Sequence, residues 1–156
     1  MSIDMADISG KEDILRIAHA RGVIKLKPET VQKIMEKTLG KGDVVTTAQI
    51  AGILAAKKTP EIIPLCHPIP IIKIDVQLII GDSEVTVEST VQSFSKTGVE
   101  MEALVATSAA LLTVWDMVKP YEKDQEGQYP DTSIEEIKVV KKIKSPTKKQ
   151  SRGEKQ

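Results

Sequence analysis

The chain has 156 residues, 40% hydrophobic and 28% charged, with 22 basic side chains, 22 acidic ones and a single cysteine. That length suits one domain burying roughly 70% of its unfolded surface, and one cysteine excludes an internal disulfide staple. The N-terminus, MSIDMADISGKEDI, has acids where a secretory signal has bases, and no uncharged apolar run approaches the roughly 20 residues of a membrane span, so a cytoplasmic protein is expected.

Near the start, ILRIAHARGVIKL is ambiguous between helix and strand, and we expect a strand over Arg21 to Leu26. PETVQKIMEKTL, Pro28 to Leu39, opens with Pro and Glu, which suit a first helical turn, and closes at Gly40. The next helix, DVVTTAQIAGILAAKKT, has Asp43 as its N-cap and two lysines in its last turn to complement the dipole, and Pro60 stops it. In IKIDVQLIIGDSEVTVEST the residues Ile72, Ile74, Val76, Leu78 and Ile80 alternate with polar ones. The alternation resumes at Val85 and Val87 after Gly81 and Asp82, which marks a β-hairpin with one buried face.

The longest helix is expected from Val99 to Lys119, with Pro120 directly after it. Its middle, Ala103 to Trp115, is apolar or small all round, so it should lie between a sheet and a second surface, for which another subunit is a candidate. After the polar loop YEKDQEGQYPD, the segment IEEIKVVKKIK reads as a last strand. From Ile137 to Gln156 there are eight bases against the single acid Glu154, leaving 14 bases against 21 acids elsewhere. We therefore expect one domain over residues 1–144 and a basic, disordered tail over 145–156; the tail is also the only feature suggesting nucleic acid. The lack of asparagine beside plentiful Lys and Glu points to a thermophilic source. Helices on one face of an antiparallel sheet make an α+β domain, of which the ferredoxin-like arrangement is the commonest small form.

Four constellations could carry chemistry: Lys41-Gly42-Asp43, the turn LCHP, Lys96 to Glu102 at the start of the long helix, and Trp115 to Lys119 at its end. Each has a plain structural reading, as turn, stiff loop, helix-dipole acids and surface ion pair. Asp116 and Lys119 follow a wholly apolar stretch, however, and a lysine desolvated there would have its pKa lowered towards a usable general acid or base, while an adjacent carboxylate would hold its proton. Cys66 and His67 could be metal ligands, a nucleophile with its base, a pocket wall, or a stiff turn. One Cys and two His are few for zinc, and HExxH, GxxxxGK[ST] and GxGxxG are all absent, so no metal is expected. Glu102 and Asp116 lie fourteen residues apart, roughly 21 Å along a continuous helix. One small substrate cannot reach both in one chain, whereas antiparallel pairing of two such helices would bring the start of one beside the end of the other.

The strings KGDVVTTAQIAGILAAKKT, IIPLCHPIPI, KTGVEMEALVATSAALLTVWDMVK and a following KD, in this order and spacing from Lys41 to Asp124, resemble the molybdenum cofactor biosynthesis protein C (MoaC) family, the cyclic pyranopterin monophosphate synthases. The resemblance implies a ferredoxin-like α+β domain assembled as a hexamer of three dimers, with its active site at a subunit interface and no cofactor. The implied reaction converts 3',8-cyclo-7,8-dihydro-GTP, made by a radical SAM partner enzyme, to cyclic pyranopterin monophosphate and pyrophosphate. By motif, Asp116 and Lys119 are similar to the family's catalytic pair, with Lys41 as a further proton-transfer residue. Leu65, Cys66, His67, Glu100, Met101 and Glu102 resemble substrate-binding residues, and Lys57, Arg21 and Lys142 are implied phosphate-side cations. The chain departs from the family at its end, where KKIKSPTKKQSRG replaces a glycine-rich basic segment. A non-catalytic nucleotide-binding regulatory module of the same fold is the alternative. Neither membrane nor nucleic acid is an expected partner.

Overall fold

A computed structural model describes residues 1–145. In chain order the elements are β1 (Ile14–Lys25), α1 (Pro28–Glu36), α2 (Val44–Lys57), the single turn α3 (Thr59–Ile62), β2 (Ile71–Ile80), β3 (Glu84–Ser95), α4 (Glu100–Glu122) and β4 (Ser133–Ser145). The strands form one antiparallel sheet in the order β2-β3-β1-β4, and the protein is of the α+β class.

β1 starts seven residues earlier than the expected strand, because Ile14 to Lys25 pairs residue for residue with β3, from Ile14 opposite Ser95 to Lys25 opposite Glu84. The buried face of β1 is Ala18, Ala20 and Ile24, continued by Val85, Val87 and Val91 on β3 and Val76 on β2. Against this face pack Ala106, Ala110, Leu111 and Val114 of α4 and Val44, Ala48 and Ala56 of α2, all nearly inaccessible. Each buried Val or Leu contributes about 1.5–3 kcal/mol relative to exposure. Gly52 sets the α2–α4 separation, since a Cβ there would stand 3.0 Å from the Ala106 carbonyl oxygen and 3.1 Å from Val76.

Asp43 caps α2 as the sequence suggests, accepting from the Thr46 N–H at 3.1 Å. The hairpin turns over residues 81–83, closed by Gly81 N–H donating to the Glu84 carbonyl at 2.8 Å. Three boundaries differ from expectation. α1 ends at Glu36 rather than Leu39, because Lys37 turns into the left-handed region at φ 55° and frees Leu39 to enter the core. α2 ends at Lys57, two residues before the end of the expected segment, and Pro60 stands in the first turn of α3, where a proline fits. α4 runs through Pro120 to Glu122, whose buried carboxylate is bonded to Thr30, Thr132 and the Lys27 N–H.

By length and composition α4 could cross a membrane, contrary to the reading of the sequence, but half of that apolar window is buried inside the protein, against α2, β1 and β3. Ser145, assigned to the tail, is the last residue of β4; the rest of the expected tail lies outside the described residues.

Candidate active site

α4 positions two polar clusters, one at each end. At its C-terminal end the Asp116 carboxylate is divided between two ammonium groups. Oδ1 lies 2.8 Å from Lys119 Nζ, one helical turn on, and Oδ2 lies 3.2 Å from Lys41 Nζ, which also donates to the Asp116 carbonyl at 3.1 Å. Lys41 reaches the site because the loop after α1 folds back on the end of α4, where the Tyr121 hydroxyl accepts from the Gly40 N–H at 3.1 Å. Trp115 and Tyr129 flank this end, with ring centroids 5.3 Å apart.

Lys119 first, and Lys41 second, hold the Asp116 carboxyl below its usual range. The hydrogen bond that Lys119 donates to Asp116 in turn raises the Lys119 pKa. This corrects the expectation of a desolvated lysine: the Lys119 and Asp116 side chains are 40% and 57% exposed in the single chain, so attraction outweighs burial. The apolar stretch of α4 is buried by α2 and the sheet, whereas its last turns emerge from the core.

At the other end of α4, Glu102 is 1% exposed despite its charge. Its Oε1 accepts from Cys66 Sγ at 3.7 Å, and its Oε2 has no partner among the described residues. Burial raises the Glu102 pKa, with the Glu100 charge adding to it. Burial, then Glu102, pushes the Cys66 thiol up to about 11. A thiol so held is a weak nucleophile. His67 follows Cys66 half-buried, and the exposed side chains of Leu65 and Met101 complete the apolar part of this end.

Glu100 lies beside these residues but behaves oppositely. Burial works to raise its pKa, yet its own backbone N–H, Lys142 at 3.0 Å and the nearby Arg16 outweigh that and leave it lowered. The carboxylate folds over Gly98, where any Cβ would collide with it. Arg16 was not singled out in the sequence. Its Nε and Nη2 donate to the Ser95 and Lys96 carbonyls, each at 3.1 Å, and it lines a small pocket with Glu100, Lys142 and Lys144.

Two candidates stand apart. Arg21 is on the opposite face of the sheet, 3.7 Å from Glu88, and Lys57 lines an open apolar groove of about 410 Å³ with Ile53, Ile71 and Lys73. Among the described residues no three His, Cys, Asp or Glu side chains come together as metal ligands.

An α+β protein carrying a carboxylate between two lysines, and a buried carboxyl paired with a thiol, has the parts of an acid–base enzyme acting on a polar substrate. Comparison with known proteins gives the particular group. The MoaC family model matches residues 5–145, and the chain belongs to that family. It is 60% identical to the probable cyclic pyranopterin monophosphate synthase of Sulfolobus acidocaldarius, over 90% of this chain and 99% of that one. Relatives of the same name from Sulfurisphaera tokodaii and Pyrococcus furiosus are 59% and 56% identical, over 90% and 91% of this chain and 93% and 91% of theirs.

Proposed function

We propose that this protein is a cyclic pyranopterin monophosphate synthase of molybdenum cofactor biosynthesis, converting 3',8-cyclo-7,8-dihydro-GTP to cyclic pyranopterin monophosphate and pyrophosphate. The observation that carries this reading is Asp116 held between Lys119 and Lys41, at 2.8 and 3.2 Å, in a chain 60% identical to a relative of that name. Opening the guanine-derived ring, rebuilding it and closing a cyclic phosphate are proton transfers, hydrolysis and displacement without net electron transfer. Such steps need a proton donor, a group to orient it, and cations for phosphate. Lys119, oriented by Asp116, is the principal general acid/base, and Lys41 is a second proton-transfer group. Glu102, Cys66, His67, Leu65, Met101 and Glu100 bind the pterin side. Lys142 and Lys57 serve the phosphates, with Arg21 a weaker candidate for the same task, and one catalytic domain reaches at least to the end of β4 at Ser145.

The two clusters are roughly 21 Å apart on one helix, so the complete site needs a second copy of the chain. Between them α4 leaves an apolar face of Met101, Leu104, Val105 and Leu112, bordered by Ile62 and Ile63, with Leu112 60% exposed. Two such faces meeting antiparallel would set Glu102 of one copy beside Asp116 of the other and would exclude water from Lys119. The element and strand order favours the ferredoxin-like arrangement. A hexamer of three such dimers in the cytoplasm, fed by a radical SAM GTP cyclase, completes the proposal.

The test is to incubate the pure protein with enzymatically prepared 3',8-cyclo-7,8-dihydro-GTP and look for product and pyrophosphate by mass spectrometry. Lys119→Ala should lower turnover by about 10²–10⁴. Mixing inactive Lys119→Ala and Glu102→Gln chains should restore part of the activity if the site spans two copies. Tight binding without product from the parent would favour the regulatory module instead.

A further inference from the structure

The last turns of α4 contain a residue that ordinarily ends a helix. Pro120 lies inside it, two residues before Glu122. Having no N–H, it cannot donate to the carbonyl four residues back, which is that of Asp116. The freed carbonyl is occupied: Lys41 Nζ donates to it at 3.1 Å while pairing with Oδ2 of the same residue.

Lys41 needs such a tether. It sits between Gly40 and Gly42, the latter at φ 102°, in a loop whose backbone has wide conformational freedom. A single exposed ion pair from a long side chain is weak and poorly directed. Two acceptors on one residue, a carbonyl and a carboxylate, fix the direction of approach as well as the distance. The helix continues beyond the proline because its end is anchored elsewhere, by the Tyr121 hydroxyl on the Gly40 N–H and by the buried Glu122 carboxylate on Thr30 and Thr132.

We propose that Pro120 is a positioning residue: by withholding an N–H from the Asp116 carbonyl it leaves a second acceptor for Lys41, and so seats the Lys41 ammonium at the end of α4. The seating is independent of the reaction, while its catalytic meaning rests on the proposed function.

The test uses the full chain labelled with ¹⁵N-lysine, the Lys41 ammonium signal being assigned with Lys41→Arg. Pro120→Ala restores the helical N–H, which should compete for the carbonyl and speed hydrogen exchange at Lys41 Nζ by about threefold or more, with no loss of thermal stability. A backbone ester at position 120, made with lactic acid, has neither N–H nor ring and should keep the parent's exchange rate. Unchanged exchange in Pro120→Ala, or equal behaviour of the alanine and ester variants, would overturn the proposal. Turnover is read separately. In Pro120→Ala, kcat should fall about three- to tenfold with KM little changed. A released Lys41 with unchanged kcat would support the seating and count against the proton-transfer role of Lys41.

Discussion

Replacing Glu122 should cost more stability than any exposed charge in the protein. Glu122 has no exposed surface, and it forms no ion pair among the described residues. Its carboxylate accepts from the Lys27 N–H at 3.2 Å on both oxygens, from Thr132 Oγ1 at 2.8 Å, and from Thr30 Oγ1. It therefore caps α1, whose own N-cap, Lys27, supplies no side-chain bond, and it places a negative charge at that helix's positive end. Glu122→Ala strands one N–H and two hydroxyls in a region where Thr30 and Thr132 are 1% and 7% exposed. At about 1–3 kcal/mol for each stranded donor, partly offset by entering water, the loss is about 3–5 kcal/mol. For a chain of this length that is about 10 °C in Tm. Glu122→Gln keeps the shape and two acceptor lone pairs, and should lose about 1 kcal/mol. Thermal and urea unfolding at one fixed protein concentration would measure both, with the order parent, Gln, Ala. An alanine variant within about 1 kcal/mol of the parent would refute this reasoning and imply that water serves the three donors equally well.

Cys66 should alkylate slowly: with its thiol raised to about 11, by burial first and then by Glu102, only about one in a thousand is ionised at pH 8. Iodoacetamide should modify it about 100-fold more slowly than an ordinary cysteine, and Glu102→Gln should quicken the reaction without abolishing the protection due to burial; a rate equal to that of a free thiol would sink the assignment. Asp116→Asn removes the negative charge and leaves only a weaker, neutral acceptor for Lys119, whose pKa Asp116 chiefly raises, so the alkaline limb of the kcat profile should move to lower pH. The sign of the stability effect follows from the same shifts. The raised Lys119 contributes below its unfolded pKa, and its contribution fades as pH rises through the folded value. The lowered Asp116 contributes above its unfolded pKa, and its contribution fades as pH falls through the folded value. An alkaline limb that stays in place in Asp116→Asn would exclude Lys119 as the group responsible.

What the sequence made legible was local. The Asp43 cap, the hairpin and the apolar body of α4 each rest on neighbours within a few residues. The continuation of α4 past Pro120 was not legible, because its anchor, Glu122, is bonded to Thr30 at a separation of 92 residues. Arg16 is an intermediate case, since a signal was present and was not used. In β1 the small and apolar residues Ala18, Ala20, Gly22 and Ile24 alternate, and in a strand that parity puts Arg16 on their side and Arg21 on the other. Arg16 lies on the helix-facing side just beyond the core, which is where α4 begins, so it meets Glu100 and Lys142, whereas Arg21 faces Glu88 across the outer surface. α4 carries its charged side chains near its two ends because the stretch between them, Ala103 to Trp115, has none. One chain therefore presents two clusters of different character: an exposed carboxylate with two lysines, and a buried carboxyl with a thiol. A second chain that covered the apolar face between them would lower the dielectric around Lys119 and weaken its hold on the proton. On the proposed dimer, the Lys119 pKa should therefore be lower in the oligomer than in the isolated chain, which titration of its ammonium signal at two protein concentrations would check.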